Sequence, residues 1–504
     1  MKRKTKLLWS CAVLMTFLTT LLLVFSAYLL KNGTSFDVLL YTLAAGTDGT
    51  NPGVIWDGFC WIVPRLLLQL SVLCLVIGTF LFILSRIDIK LVIIRVRRGV
   101  KRGFSLNRLI SGCLLAFLLA VLPIFNILYI NHQFGIVSYI KTSHETTTIY
   151  EEKYANPALA VINAPRNKKN LIFIWVESLE TTYANRENGG FQEESCIPRL
   201  TGLALENIRF RSSENVLSGL NSVAFTKYTF GAMYAALSGT PYAYNVDTNN
   251  YPDRVVVCDY PFLSDVLKQN GYHCEYIVGC EGHFSGTDTL LLNHGFDTVF
   301  DPENMMEEGY IPRGYFENWG AEDRKVLAIA EDRITKIAGN GQPFAYMIST
   351  MDTHFPVGYT CPECPTIYGS ETANIVACTD RLVADFVDWC RAQPFYEDTV
   401  IVIVGDHPRM DDCLVSGVPM EKRLIYNCFM NSAVPAENTE NRCFTMMDLY
   451  PTVLSAMGFE IEGERLGFGT NLFCGQPTLT EEMGTDRFSS EISKHSDYFI
   501  QHFR

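Results

Sequence analysis

Three times in this chain a continuous apolar run breaks off abruptly into residues that ligate metals. Residues 171–176 (LIFIWV) show no polar alternation and stop at Glu177-Ser178. Residues 399–404 (TVIVIV) run into Gly405-Asp406-His407, and residues 344–348 (FAYMI) into Ser349, Thr350, Asp352 and His354. Strands covered on both faces read this way. In open α/β sheets, ligands bind beyond the carboxyl ends of the strands. Three such strands would bring Glu, Asp-His and Asp-x-His to one edge, and carboxylates with an imidazole suit a divalent transition metal. A single Asp-His after a strand reads as a turn with a capping Asp; the coincidence of three carries the metal reading.

A chain of 504 residues has room for a membrane region and one large soluble domain. Apart from one basic loop, charge is scarce in its first quarter. Residues 7–30 are apolar and uncharged behind the basic start MKRKTK. The run is long enough to cross a bilayer, and too long for a signal peptide. Further spans are predicted over 66–84 and 109–130, with Pro123 as a tolerated kink. Residues 46–53 read as loop, and 38–44 and 56–62 as segments at the membrane surface. The loop with Arg86, Lys90, Arg95, Arg97, Arg98, Lys101, Arg102 and Arg108 stays in the cytoplasm by the positive-inside rule, with 92–96 resting on lipid. Three spans then place everything after residue 130 outside. The expected division is a transmembrane region at 1–132, a polar connector at 133–169 and a soluble domain at 170–504.

The net charge of -13 argues against a nucleic-acid partner. Of 16 cysteines, only Cys361-Pro-Glu-Cys364 form a close pair. One CxxC lacks the second pair of a structural zinc site and reads as a local disulfide or two thiols. From Asn170 onward, strand patterns alternate with helical ones over 262–270, 321–338 and 371–393. That alternation predicts an α/β domain on a largely parallel sheet.

The second informative stretch is residues 226–241 (TKYTFGAMYAALSGTP). Phe230, Met233 and Leu237 recur at helical spacing, and Gly239 and Pro241 end the helix. Thr229 falls at its N-terminus, where backbone N–H groups and the dipole favour phosphate. A hydroxyl there, beside a metal, can act as a nucleophile. It can equally be an N-cap.

This order of motifs (Glu-Ser after a strand, Thr opening a small-residue helix that ends SGTP, an HFP segment, then GDH) resembles the membrane-bound sulfatase-like phosphoglycerol transferases. These include lipoteichoic acid synthases and the transferases that decorate periplasmic glucans. The resemblance runs over about 170–472 and implies an alkaline-phosphatase/sulfatase-like fold. It implies that Glu177, Thr229, Asp406 and His407 hold one metal, Mn²⁺ in the best-known relatives, with Mg²⁺ and Zn²⁺ as alternatives. Thr229 would be the nucleophile, and His354 would contact the substrate phosphate. The donor would be phosphatidylglycerol, and the acceptor a glycan or a polyglycerolphosphate. The setting would be a bacterial cell membrane crossed several times, with the catalytic domain on the extracellular or periplasmic side. Within 279–297, where lipoteichoic acid synthases carry Phe-Trp-Asn-Arg, this chain has Phe284, Gly286 and Asp288 instead, closer to the glucan-modifying branch. His283 there is a second phosphate contact or a solvated loop histidine.

Three other readings compete. Cys196-Ile-Pro-Arg199 is one residue short of the motif that a formylglycine sulfatase needs. A phosphoethanolamine transferase shares the fold and the threonine. An inactive membrane-anchored sensor or scaffold would not need all four presumed ligands.

Overall fold

The computed structural model describes residues 2–31, 36, 38–40, 52–86, 90–92, 103–242, 260–355 and 358–502. The chain divides into two compact units, one of residues 1–36 and 52–139, the other of 37–51 and 140–504.

The first unit is helical. It holds α1 (Lys2–Lys31), α2 (Pro52–Arg86), α3 (Leu106–Ala116) and α4 (Leu122–Phe134), with a three-residue hairpin pairing Lys90–Val92 with Gly103–Ser105. Among the described residues, three stretches are long and apolar enough to cross a membrane: Leu7–Lys31, Ile55–Phe80 and Gly112–Phe134. Their large apolar side chains stay exposed, as at Leu67, Leu75 and Ile127, which water would penalise and lipid would not. The second helix begins well before the expected 66–84. It takes in Pro52 and Gly53, read as loop, and 56–62, read as a surface segment. Arg65 marks the mismatch, because a cation reads as the end of a span. Here its guanidinium lies 4.0 Å over the Trp61 ring and donates to the Trp61 carbonyl at 3.0 Å, so the helix carries it. Pro123 follows a π-helical turn at Phe117–Val121, where Leu122 N–H donates to Phe117 O. That turn absorbs the ring without breaking the helix. Residues 46–51 and 93–96, and Arg95, Arg97, Arg98, Lys101 and Arg102 of the basic loop, lie outside the described residues.

The second unit is built on a six-stranded sheet. Its strands are β1 (Asn170–Val176), β2 (His273–Val278), β3 (Thr298–Phe300), β4 (Phe344–Ser349), β5 (Thr399–Gly405) and β6 (Asn427–Met430), in the spatial order β3-β2-β4-β1-β5-β6. All neighbours run parallel except β6, which is antiparallel to β5. The sheet is therefore mostly parallel, as the apolar runs imply. β1 sits between β4 and β5, and its residues from Leu171 to Val176 are buried. Ile172, Ile174 and Ile348 join a core with residues of α7 (Asp323–Ala338) and α8 (Glu371–Arg391), namely Leu327, Ile334, Val383 and Val387. Two further helices matter for the site, α5 (Pro198–Glu206) and α6 (Thr229–Ser238).

The connector is more ordered than its composition suggests. Ile136–His144 and Ile149–Lys153 are helical, and Ile162–Asn163 pairs antiparallel with Glu460–Ile461. Helices of this length give too few periods to be read from sequence.

Register aligns the strand ends. Trp175 lies opposite both Ser349 and Val404, and Val176 opposite Gly405. Gly405 is required by close approach: a Cβ there would sit 2.0 Å from the Leu179 carbonyl oxygen. Gly405→Ala is expected to lower folding stability by about 1–3 kcal/mol, the usual cost of overpacking, read as a fall in the thermal unfolding midpoint.

Candidate active site

Glu177 is the first residue past β1. Its backbone N–H donates to Thr350 Oγ1 at 3.0 Å, beyond the neighbouring β4. Ser178 then turns left-handed, at φ 55°, a conformation that costs a non-glycine residue about 1 kcal/mol. The turn is held from both sides. Ser178 N–H donates to Asp406 Oδ1 at 2.7 Å, and Ser178 Oγ–H donates to Glu177 Oε1 at 2.5 Å. Asp406 and His407 follow β5. Asp406 Oδ1 also accepts from His407 N–H at 2.8 Å, while the buried Asp406 Oδ2 lies 3.4 Å from His407 Nε2 and has no hydrogen-bond partner among the described residues. His407 Nδ1–H donates to the Pro408 carbonyl at 2.9 Å, which leaves Nε2 as a lone-pair donor for a metal.

Glu177, Asp406 and His407 each offer one ligand atom, and those atoms lie within 4.8 Å of one another. The Thr229 hydroxyl completes the group. It donates to Glu177 Oε2 at 3.2 Å and lies 3.3 Å from His407 Nε2. Thr229 is the first residue of α6; the cap position belongs to Tyr228, whose side chain makes no cap. The hydroxyl thus faces the carboxylates instead of closing its own helix. Glu177, Asp406 and His407 are at most 3% exposed. Burial, then the Glu177 charge, pushes the Asp406 carboxyl up to about 6. Burial lowers His407, but Asp406 and Glu177 outweigh it and hold the imidazole above its ordinary value. At an effective dielectric of 20, two like charges 4 Å apart repel by about 4 kcal/mol. A divalent cation would relieve that repulsion and take Asp406 Oδ2 and His407 Nε2, 3.4 Å apart, as ligands. The donor set of two carboxylates, an imidazole and a hydroxyl fits such an ion.

His354 follows β4. Its Nδ1–H donates to the Phe355 carbonyl at 2.7 Å, and its ring meets Trp319 edge-on at 4.6 Å. Desolvation, with the His407 ring nearby, lowers its pKa to about 4. Asp352, expected at the same edge as a ligand, stands outside the metal group. Its backbone N–H donates to Asp323 Oδ1 at 3.1 Å, which fastens this segment to the first residue of α7. Burial and the Asp323 carboxyl raise the Asp352 pKa strongly, so a proton is retained there at neutral pH. His283 and Asp288 lie together, at 3.3 Å, with the His283 ring largely exposed. His283 immediately precedes the 3₁₀ turn Phe284–Gly286 and Asp288 lies in the short helix Thr287–Asn293, both outside the metal group. Phe284 packs against Trp319 at 5.9 Å, so that segment reaches His354 through aromatic rings.

A supporting layer was missed in the sequence. Glu180 is fully buried and accepts from Arg423 Nε at 2.9 Å and from Arg409 N–H at 3.1 Å. The Arg409 guanidinium grips Asp411 through two bonds, of 2.8 and 3.0 Å, and donates to the Thr353 carbonyl. Thr353 Oγ1–H in turn donates to the Glu177 carbonyl at 2.5 Å. The visible signal was a second acid three residues after Glu177 and an arginine two after His407.

A largely parallel sheet with these groups at its carboxyl edge defines an alkaline-phosphatase/sulfatase-like protein. The family model described as Sulfatase matches residues 169–459, more than half of the chain, and the chain belongs to that family. It is similar to proteins named phosphoglycerol transferase I. The one from Xanthomonas euvesicatoria pv. vesicatoria is 29% identical over 347 residues, covering 66% of this chain and 47% of that protein. The one from Salmonella choleraesuis is 29% identical over 336 residues, covering 64% and 41%. The chain spans about half the length of the curated relatives it matches. The solved structure of a protein in the alkaline phosphatase superfamily from Vibrio parahaemolyticus aligns with a TM-score of 0.50 at 20% identity, over 69% of this chain and 79% of that one. That likeness is one of fold. Cys196 does not take the place of the nucleophile: it is buried just ahead of α5, its thiol pushed up to about 11 by burial, and the hydroxyl at the acidic group is that of Thr229.

Mn²⁺ added to metal-free protein is expected to raise the thermal midpoint, by roughly 2.7 kcal/mol of stability at about 100-fold over Kd. Glu177→Gln and Asp406→Asn should abolish the shift. Calorimetry with and without the ion checks this.

Proposed function

We propose that the chain transfers glycerol phosphate from phosphatidylglycerol to a hydroxyl of a cell-envelope glycan or polyglycerolphosphate, through a phosphorylated Thr229. The observation that carries this is the position of the Thr229 hydroxyl, 3.2 Å from Glu177 and 3.3 Å from His407 at the start of a helix. The names of its relatives supply the class of reaction. Glu177, Thr229, Asp406 and His407 would hold one divalent cation, Mn²⁺ first, with Mg²⁺ and Zn²⁺ as alternatives. When bound, such an ion lowers the pKa of the nucleophile and offsets charge on the phosphoryl oxygens.

The remaining chemistry belongs to the chain. The positive end of α6 favours the phosphodiester. Thr229 Oγ1 gives up its proton along its hydrogen bond to Glu177 Oε2 and forms the new bond to phosphorus as the diacylglycerol oxygen departs. An acceptor hydroxyl then displaces Thr229 from the opposite side. Neutral His354 presents Nε2 as a lone pair, because its Nδ1–H is committed to the Phe355 carbonyl. A phosphodiester anion against the ring raises its pKa, so that Nε2 can protonate the departing oxygen and later take the proton of the acceptor. His283 and Asp288 lie on the segment that touches Trp319 and would contact glycerol phosphate or acceptor. Residues 170–504 form the catalytic domain, reached through the connector 133–169 from a membrane region over 1–132. That domain lies on the extracellular or periplasmic face of a bacterial cell membrane crossed several times, which keeps the site near its lipid donor.

Vesicles holding phosphatidylglycerol labelled in its head group, incubated with the full chain and Mn²⁺, should lose label as glycerol phosphate. Thr229→Ala should abolish transfer while leaving circular dichroism unchanged. Consumption of phosphatidylethanolamine instead, or full activity in Thr229→Ala, would overturn the reading. His354→Gln should slow transfer by at least about 10²-fold, the usual contribution of a general acid–base group, while preserving the thermal shift by Mn²⁺.

A further inference from the structure

Away from the acidic group, three sulfurs meet beside α8. The Sγ atoms of Cys361, Cys364 and Cys378 lie within 4.8 Å of one another. Cys364 and Cys378 form a disulfide, with Cα atoms 5.6 Å apart, while Cys361 is a free and buried thiol. Cys361 and Cys364 close one tight turn, with Cys364 N–H donating to Cys361 O at 3.0 Å. The disulfide is therefore not the local one that the CxxC spacing suggests; it ties the turn to α8. A structural zinc site needs four ligands, and this group offers three. A thiol held against a disulfide has a different chemistry open to it, which is exchange.

We propose that Cys361 is the exchange thiol of the Cys364–Cys378 disulfide, and that the segment before α8 is a thiol–disulfide exchange site. Cys361 loses its proton, which ends on Cys364, and its sulfur attacks Sγ of Cys378. The Cys361–Cys378 bond forms as the Cys364–Cys378 bond breaks, and Cys364 leaves with the electron pair and is reprotonated. One disulfide and one thiol enter the step and one of each leave it, so no oxidant or reductant is required. Arg381 chooses the leaving sulfur. Its Nη2 lies 3.9 Å from Cys364 Sγ and favours the thiolate form there. Cys364 is also the most accessible of the three, Cys361 and Cys378 being buried. Exchange thus moves the free thiol from a closed position to an open one. It also shifts by three residues the point at which the turn is fastened to α8. That turn follows the His354 segment, to which it is joined by Tyr359 N–H donating to Asp352 O at 2.8 Å.

Peptide mapping of the intact chain tests this. No Lys or Arg lies between Lys336 and Arg381, so trypsin leaves all three cysteines on one peptide. Cleavage after Glu363 and Glu371 separates them. After alkylation of the folded, oxidised protein with a maleimide at mildly alkaline pH, both Cys364–Cys378 and Cys361–Cys378 linked peptides are expected, with label on Cys364. Cys364→Ser should carry a complete Cys361–Cys378 disulfide. Arg381→Gln should slow labelling of Cys364 about tenfold. The proposal is overturned if all linkage is Cys364–Cys378 with Cys364 unlabelled, if Cys364→Ser leaves two free thiols, or if purified protein holds stoichiometric zinc on three reduced cysteines.

Discussion

Two carboxylates and an imidazole, each almost wholly withdrawn from water, share a few ångströms at the edge of a sheet. Nothing in ordinary folding energetics favours that arrangement. Burial already lifts the Asp406 carboxyl to about 6, and the Glu177 charge adds to the lift. The structure tolerates the crowding because each group has a fixed partner: Asp406 accepts from the Ser178 and His407 N–H groups, His407 Nδ1–H donates to the Pro408 carbonyl, and Glu177 accepts from the Ser178 hydroxyl. Every other feature of the site either holds these groups together or presents a hydroxyl to them.

The holding is done in two layers. In the inner layer, a strained Ser178 locks Glu177 to Asp406 across the ends of β1 and β5. In the outer layer, two ion pairs, Glu180–Arg423 and Arg409–Asp411, are joined by the Arg409 backbone N–H on Glu180, and the Arg409 guanidinium ends on the Thr353 carbonyl. Breaking one partner of such a pair leaves an uncompensated buried charge, which costs more than an exposed pair contributes. Because Thr353 bonds the Glu177 carbonyl and precedes His354, the network joins the segments after β1, β4 and β5 into one piece.

Much of this was legible in the residues. Short apolar runs of five or six residues that stop at polar groups read as strands buried on both faces, and the three named runs became β1, β4 and β5. Helices at 321–338 and 371–393 were visible because 16 and 21 residues give several turns of periodicity. The strands β2, β3 and β6 were not singled out, being short or interrupted by polar residues such as Glu275 and Asn427. Asp352 misled because a strand end brings a residue to the edge without making its carboxylate a member of the metal group; its segment is fastened to Asp323, 29 residues away in sequence. The Cys364–Cys378 link was hidden for a similar reason: spacing advertises a turn, and a helix fourteen residues on supplied the partner. In the membrane region, Arg65 disguised the length of α2, since nothing in a linear reading says that a neighbouring indole will cover a cation.

The position of β1 between two parallel neighbours has a consequence for how such a chain can drift over generations. Its alternation is locked to β4 on one side and β5 on the other, residue for residue. Losing or gaining one residue within any of the three would send a ligand to the wrong face and strip the others of their partners. Insertions and deletions must therefore fall in the connecting loops and helices, so the lengths of these three strands should be the most slowly changing measurements in the lineage, slower than the identity of the apolar residues that fill them.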